Sequence, residues 1–179
     1  MIHIAFLRAV NVGGRSVVKM TDLKAAFERA GCRNARTFIA SGNVVFEAPA
    51  KLPVALKTRI ARELLRLFGK EPGVCYRTLE DLDALIAANP FGAAAADKEL
   101  KLYVAFTVGA PKQRPALPIV DEKEFVEITA VRAGDVLVIS RRKPNGMYGF
   151  PNFCVERLGV TATSRNWNTV VKVAAFARK

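Results

Sequence analysis

The chain contains a single histidine and three cysteines, which leaves few residues for metal binding or nucleophilic catalysis. His3 lies in a predicted strand, and without a second base no triad can be built around a distant serine or cysteine. Cys32, Cys75 and Cys154 are widely spaced and form no Cys-x-x-Cys pair. We therefore expect no disulfide, metal site or cofactor, and we interpret the cysteines as small buried residues.

Long apolar runs are also missing. Hydrophobic residues make up 51% of the chain, which is enough for a core, but the longest runs are of strand length and interrupted. Residues 1–8 carry no basic residue before their apolar run, a pattern that predicts a strand rather than a signal peptide. We expect a cytoplasmic protein that has no membrane partner.

Acidic residues are scarce, since 28 lysines and arginines stand against 16 aspartates and glutamates, giving a net charge of +12. The excess lies in the first half, because residues 1–78 have 14 basic and 5 acidic side chains, a net of +9. Residues 79–179 have 14 and 11, a net of +3. A basic half indicates an anionic partner, most generally nucleic acid. Solubility within a basic proteome is the alternative interpretation.

The first half predicts the element order β-α-β-β-α-β. The predicted strands are Ile2–Arg8, Arg36–Ala40, Asn43–Glu47 and Val74–Arg77. Thr21 is the predicted cap of the first helix, and Gly31 and Gly69 are predicted to end the two helices. This order is that of a ferredoxin-like unit.

The second half is predicted to have a similar order of elements, namely a strand, a connection, a hairpin and a helix. Thr78–Asp81 is a capping box, and Leu100–Val108 alternates as a half-buried strand does. Phe125–Val131 and Val136–Ser140 are the two strands of a predicted hairpin. Two predicted helices follow, at Phe153–Leu158 and from about Asn166 to Ala177. We predict an α+β fold of two tandem ferredoxin-like (βαββαβ-type) subdomains, with antiparallel sheets backed by helices. The first covers residues 1–78, and the second covers residues 79–179 with the C-terminal helix.

The segment Leu7–Val18 is the first candidate site. Gly13 and Gly14 follow a strand and precede a helix, where backbone N–H groups can point at an anion. Arg8 and Arg15 could neutralise that anion. The alternative is a tight turn that needs a positive φ.

Two other segments are rich in polar residues. Ser41 and Asn43 flank a glycine in the first predicted hairpin. Arg165, Asn166, Asn168 and a threonine crowd a predicted helix start, whereas a cap needs only one or two polar residues. The excess indicates a ligand site, while capping and a core role for the tryptophan are the structural alternative.

The second predicted helix carries a basic stripe. Its members recur at spacings of three and four residues, and they are Arg59, Arg62, Arg66 and Lys70. One helix face therefore holds all four charges. The stripe predicts a surface that tracks nucleic-acid phosphates, and the alternative is a solvated face opposite the core.

Three segments taken in order, Leu7–Gly14, Arg36–Phe46 and Thr163–Val170, strongly resemble the bacterial domain of unknown function 1697 family. The resemblance implies two ferredoxin-like subdomains and no established activity. The chain departs from many relatives at Ala9, where they carry glycine. It also lacks the Ser-Lys pair that commonly follows the glycines of their C-terminal loop, since Gly149–Asn152 contains no lysine. Any anion bound by that lysine in relatives would be bound differently here or not at all.

The leading hypothesis is a non-catalytic binding module for an anionic ligand, either nucleic acid or a nucleotide. The predicted contacts in the first half are Arg8, Asn11, Gly13, Gly14, Arg15, Ser41 and Asn43. Arg165, Asn166 and Asn168 would join them if the two halves fold together. One alternative is a small-molecule enzyme without metal that uses Arg and Asn for electrostatic stabilisation. The other is a protein-interaction module, which predicts an exposed apolar patch.

Overall fold

The computed structural model describes residues 1–8, 10, 18–113 and 115–179. The chain forms two compact units. The first contains Met1–Asp83 together with Val173–Lys179, and the second contains Ala84–Lys172. The division predicted after residue 78 stays a prediction.

The first unit is built on a four-stranded antiparallel sheet in the order β2-β3-β1-β4. Its elements are β1 (Ile2–Leu7), α1 (Met20–Arg29), β2 (Arg33–Phe38), β3 (Asn43–Glu47), α2 (Val54–Phe68) and β4 (Val74–Thr78). A further helix, α3 (Leu79–Ala87), begins in this unit. Its start is the predicted capping box, in which Thr78 and Asp81 exchange backbone-to-side-chain bonds of 2.8 and 3.0 Å.

Helices α1 and α2 pack on one face of this sheet because each carries an apolar stripe. Leu23 and Phe27 of α1 and Ile60 of α2 are fully buried, and the Phe27 ring lies 5.5 Å from that of Phe46. The predicted cap at Thr21 is wrong. The helix already begins at Met20, with Lys19 in the cap position and no side-chain cap bond, so Thr21 lies inside the first turn.

The histidine and the predicted helix-ending glycines have structural roles in this unit. His3 is buried, stacks on Phe46 at 5.6 Å and bonds through Nε2 to the Pro49 carbonyl at 2.9 Å. Because a carbonyl only accepts, Nε2 carries the proton. Gly31 and Gly69 follow α1 and α2 at φ +96° and +70°, in the left-handed region that glycine adopts at helix ends.

The second unit is built on a five-stranded antiparallel sheet in the order β6-β7-β8-β5-β9. After a short 3₁₀ helix (Gly92–Ala96), its elements are β5 (Leu100–Thr107), β6 (Ile119–Asp121), β7 (Val126–Val131), β8 (Asp135–Arg141), α4 (Pro151–Glu156), β9 (Ala162–Asn166) and α5 (Trp167–Ala177). Helix α5 starts here and ends in the first unit. The fold is thus α+β with two antiparallel sheets, and β6 and β9 are strands that the sequence did not predict.

One core cluster of the second unit lies under α4. Cys154, Val155 and the following Leu158 pack against inward-facing residues of the sheet such as Val126 and Ile128. With six residues, α4 is about 9 Å long, whereas five strands span about 19 Å. This helix therefore cannot cover the whole sheet.

The end of α5 packs on the edge strand β2 of the first unit. The Phe176 ring lies 5.1 Å from Phe38, and the Arg36 guanidinium lies 4.9 Å from the same ring. Arg36 also donates to the carbonyls of Phe176 and Ala177, at 3.5 and 3.3 Å. A cation at these last carbonyls is favoured by the helix dipole. Among the described helices, none has both the length and the apolar character needed to cross a membrane.

Candidate functional site

Most of the first predicted motif lies outside the described residues. This applies to Asn11, Gly13, Gly14 and Arg15, whose predicted contacts stay predictions. Arg8 is described: it follows β1, is half-buried, and its backbone N–H donates to the Gly73 carbonyl at 2.8 Å.

The second motif meets the start of the first at Gly42. This glycine has a φ of +74°, and a Cβ built on it would lie 2.9 Å from the Val10 side chain and 3.1 Å from Leu7. The backbone N–H of Leu7 donates to the Gly42 carbonyl at 2.8 Å. Both the backbone conformation and the lack of space require glycine here. The hairpin loop and the entry to the Leu7–Val18 segment are therefore neighbours.

Asn43 is used by the hairpin itself. Its side chain is completely buried, and its amide NH₂ donates to the Phe38 carbonyl and to Ser41 Oγ, both at 3.0 Å. A buried amide requires such partners, since an unpaired one costs about 1–3 kcal/mol. These bonds help to close the hairpin, and the ligand contacts predicted for Ser41 and Asn43 stay predictions.

The third motif combines an edge strand with a helix start. Arg165 on β9 is 8% exposed and donates to Thr163 Oγ1 at 2.9 Å and to the Ser164 carbonyl at 3.0 Å. Asn166 caps α5, because its Oδ1 accepts the backbone N–H of Asn168 at 3.0 Å. The Trp167 ring meets Phe91 edge-on at 5.4 Å. Two of the predicted residues thus have clear structural partners.

A pocket of about 320 Å³ opens at this helix start. Asn166 and Asn168 line it together with Asp97, Lys98 and Lys101, which come from the start of β5 and the segment before it. The lysines outnumber the aspartate, and the N-terminus of α5 adds a partial positive charge. The pocket therefore favours an anion.

Neither lysine is predicted as a site residue from the sequence. Lys101 precedes Tyr103 by two residues and shares its face of β5, and Tyr103 is the β9 partner of Asn166. The Lys101 ammonium also lies 5.3 Å from the Tyr148 ring, a cation–π contact that helps to hold it. Only the pairing of β5 with β9 joins these residues, and no local pattern reveals that pairing.

All four residues of the basic stripe are exposed, and two of them also bond to protein groups. Arg59 Nε donates to the Ala30 carbonyl at the end of α1, at 2.7 Å. Glu63 accepts from Arg66 at 2.5 Å and from Arg29 of α1 at 2.7 Å. The Arg29 hydrogen bond is the main cause that lowers the pKa of Glu63. Arg62 and Lys70 are exposed on the same helix or directly after it.

The described residues offer little for metal or thiol chemistry. None of them form a group of three His, Cys, Asp or Glu side chains that could hold a metal ion. All three cysteines are buried and not in disulfides. Burial raises the pKa of Cys32 to about 12 and that of Cys154 to about 11, so both thiols are protonated at neutral pH.

Several large apolar side chains of the second unit are exposed. Met147, Phe150 and Phe153 are exposed by 63, 60 and 62%. The interaction-module alternative predicts exposed apolar groups of this kind. Nothing in the structure shows a partner, and that alternative stays a prediction.

The fold is shared with a conserved bacterial protein, SP0830, from Streptococcus pneumoniae. Its structure matches with a TM-score of 0.61 and 18% sequence identity, over 99% of this chain and 98% of that chain. No curated protein shows significant sequence similarity. The family model described as "Protein of unknown function (DUF1697)" matches residues 1–137, which contain the first two motifs and end before the third. The chain therefore belongs to the DUF1697 family of proteins of unknown function.

Proposed function

We propose that this protein is a non-catalytic binding module for an anionic ligand of the nucleotide class, and that the pocket at the start of α5 is its site. One observation carries the proposal. Asn166 and Asn168, which the sequence already indicated, line a single pocket with Lys98 and Lys101.

The chemistry of this pocket suits phosphate oxygens. Each lysine ammonium offers three donors, and each asparagine amide offers two. Because the Oδ1 of Asn166 accepts the capping bond, its NH₂ group can donate to a ligand. At about 320 Å³ the pocket is at the small end of the range for ligand sites, a size that suits a phosphate and its immediate substituents.

We favour a nucleotide over long nucleic acid as the ligand. All four residues of the stripe are exposed, but Arg59 already bonds to the Ala30 carbonyl and Arg66 to Glu63, which leaves fewer N–H donors for phosphates. The net charge of +12 still attracts anions over long distances and raises association rates. The contacts predicted for Arg8, Asn11, Gly13, Gly14 and Arg15 belong to the first unit and stay a separate prediction.

The finer description of the fold is also a proposal. The order β2-β3-β1-β4 supports a ferredoxin-like arrangement in the first unit. In the second unit no helix follows β5 within residues 108–113 and 115–118, where prolines punctuate the chain, so its element order differs from βαββαβ. The cytoplasmic location stays a prediction.

Calorimetric titration with inorganic phosphate, AMP and ATP tests the site. We expect saturable binding by the wild type and about tenfold weaker binding for each of Lys98→Gln and Lys101→Gln, because each removes a charge-assisted hydrogen bond. Lys172→Gln is the control, since Lys172 is an exposed lysine of α5 outside the pocket lining. Equal affinities for all four proteins, or no saturable binding, would refute the proposal.

Labelled single- and double-stranded DNA and RNA, titrated across a salt series, test the nucleic-acid form. If nucleic acid is the ligand, affinity falls steeply with salt concentration. We expect weak binding that Arg62→Gln and Lys70→Gln barely change.

A further inference from the structure

A second, larger cavity of about 620 Å³ lies in the second unit, beside β6 and β7. It has a simple structural origin. Helix α4 is shorter than the width of the sheet that it covers, so the space over the edge strand β6 is left open. A cavity formed in this way has an apolar floor, because the sheet residues beneath it belong to the core.

The floor is apolar and well packed. Val126, Ile128 and Leu158 line it with 1, 2 and 4% of their surfaces exposed. Cys154 completes this part of the lining, and its raised pKa keeps the thiol neutral. The floor therefore suits the apolar body of a small molecule.

Arg157 stands at the mouth, held from two sides. Its Nη1 donates to Asp121 Oδ2 at 2.8 Å, and its guanidinium carbon lies 5.2 Å from the Phe153 ring. Its side chain is still 63% exposed. A guanidinium has five N–H donors, and the bond to Asp121 uses one of them. The remaining donors can bind a carboxylate through two parallel bonds.

Among the described residues, the other charges at the mouth favour a ligand with a single negative charge. Asp121 also accepts the Glu124 backbone N–H at 3.0 Å, and this bond is the main cause that lowers the pKa of Asp121. Glu124 pairs with Lys143 at 2.8 Å, while Glu122 and Lys123 line the cavity with opposite charges. A polyphosphate would be repelled by these carboxylates, whereas a monoanion can be bound by Arg157.

We propose that this cavity binds a small molecule with an apolar body and a single carboxylate, which Arg157 recognises. The proposal does not depend on the nucleotide site at α5, because the two cavities share no lining residue among those the structure describes.

A pair of probes of the same shape tests both parts of the proposal. Amide NMR spectra of the full chain are recorded during titration with naphthoate and with its uncharged carboxamide. We expect saturable shifts at Asp121, Val126, Cys154 and Leu158 with both probes, and about tenfold tighter binding of naphthoate. Equal affinities for the two probes, or shifts at Lys98 and Asn168 instead, would overturn the assignment.

Variants then identify the anion-binding residue. Arg157→Gln should lower the affinity for naphthoate about tenfold and leave that for the carboxamide unchanged. Arg141→Gln is the matched control, because Arg141 is a half-exposed arginine of the same unit that pairs with Glu127 at 2.8 Å. Arg141→Gln should bind both probes as the wild type does. Unchanged naphthoate affinity in Arg157→Gln would show that the carboxylate is not bound there.

Discussion

In the first unit, helices of 10 and 15 residues pack on a four-stranded sheet, whereas in the second the six-residue α4 packs on five strands. The difference follows from the chain between the strands. In the first unit, residues 8–32 connect β1 to β2 and residues 48–73 connect β3 to β4, and both connections are long enough for a full-length helix. In the second unit, Pro111, Pro115 and Pro118 punctuate the connection after β5, and α4 ends soon after it begins.

The two units also differ in net charge and in the size of their cavities. The first half carries most of the net positive charge, yet Arg29, Arg36, Arg59 and Arg66 bond to carboxylates or backbone carbonyls within the first unit. The second half is nearly balanced in charge, yet its incompletely covered sheet leaves a large cavity. Most of the net positive charge and this large cavity are therefore found in different units.

The largest expected difference between the units concerns packing. Leu64 of α2 is fully buried, whereas Leu158 after α4 is 4% exposed and lines the large cavity. Leu64→Ala should lower the free energy of unfolding by about 4 kcal/mol and Leu158→Ala by about 2 kcal/mol, because Leu158 has fewer packed neighbours on its cavity side. Urea unfolding followed by far-ultraviolet circular dichroism measures both losses.

Equal losses in the two variants would break this comparison, since they would mean that the second unit is as tightly packed around Leu158 as the first is around Leu64. The conservative variants Leu64→Met and Leu158→Met are the controls. Each preserves side-chain volume and should cost less than about 1.5 kcal/mol.

A smaller effect is expected from the ion pairs that join α1 to α2. The bond from Arg29 lowers the pKa of Glu63 below its usual value of 4.5, so the charged carboxylate is favoured in the folded state. Its contribution to stability is complete above pH 4.5 and is lost as the pH falls through the folded-state pKa. Glu63→Gln should therefore be less stable than the wild type at neutral pH, and the two should converge in acid.

Urea midpoints measured from pH 7 to pH 3 check this behaviour. Glu28→Gln is the control, because Glu28 is an exposed carboxylate of the same unit that pairs with Lys24 one helical turn away. Exposed pairs contribute little, so Glu28→Gln should follow the wild type at each pH. A constant offset between Glu63→Gln and the wild type, with no convergence, would assign the loss to packing instead.

The elements of this fold that were predictable are those with a local pattern. The alternation of apolar and polar residues predicted β5, and the apolar stripe that includes Phe27 predicted α1. The capping box of Thr78 and Asp81 predicted the start of α3. Strand β9 has the polar sequence Ala-Thr-Ser-Arg-Asn and is stabilised by pairing with β5, which is distant in sequence. Strand β6 has only three residues, and both strands therefore escaped detection.

The candidate site was predictable to the same extent. An excess of polar residues at a helix start pointed to Asn166 and Asn168, which do line a pocket. The same reasoning selected Asn43 and Arg165, which bond to Phe38 and Thr163 and whose predicted ligand contacts stay predictions. Lys98 and Lys101 lie close to these asparagines only because β5 pairs with β9, and the sequence does not reveal that pairing.

The smallest expected effect separates two neighbouring arginines of α2. Arg59→Gln removes the bond to the Ala30 carbonyl and should cost about 1 kcal/mol, because that carbonyl lies at the end of α1. Arg62→Gln changes an exposed side chain and should stay within about 0.5 kcal/mol. Urea midpoints distinguish the two, and neither variant should alter naphthoate binding, in contrast to Arg157→Gln in the second unit. If Arg59→Gln were as stable as Arg62→Gln, the bond to Ala30 would contribute nothing measurable, and Arg59 would again be available to a phosphate-binding stripe.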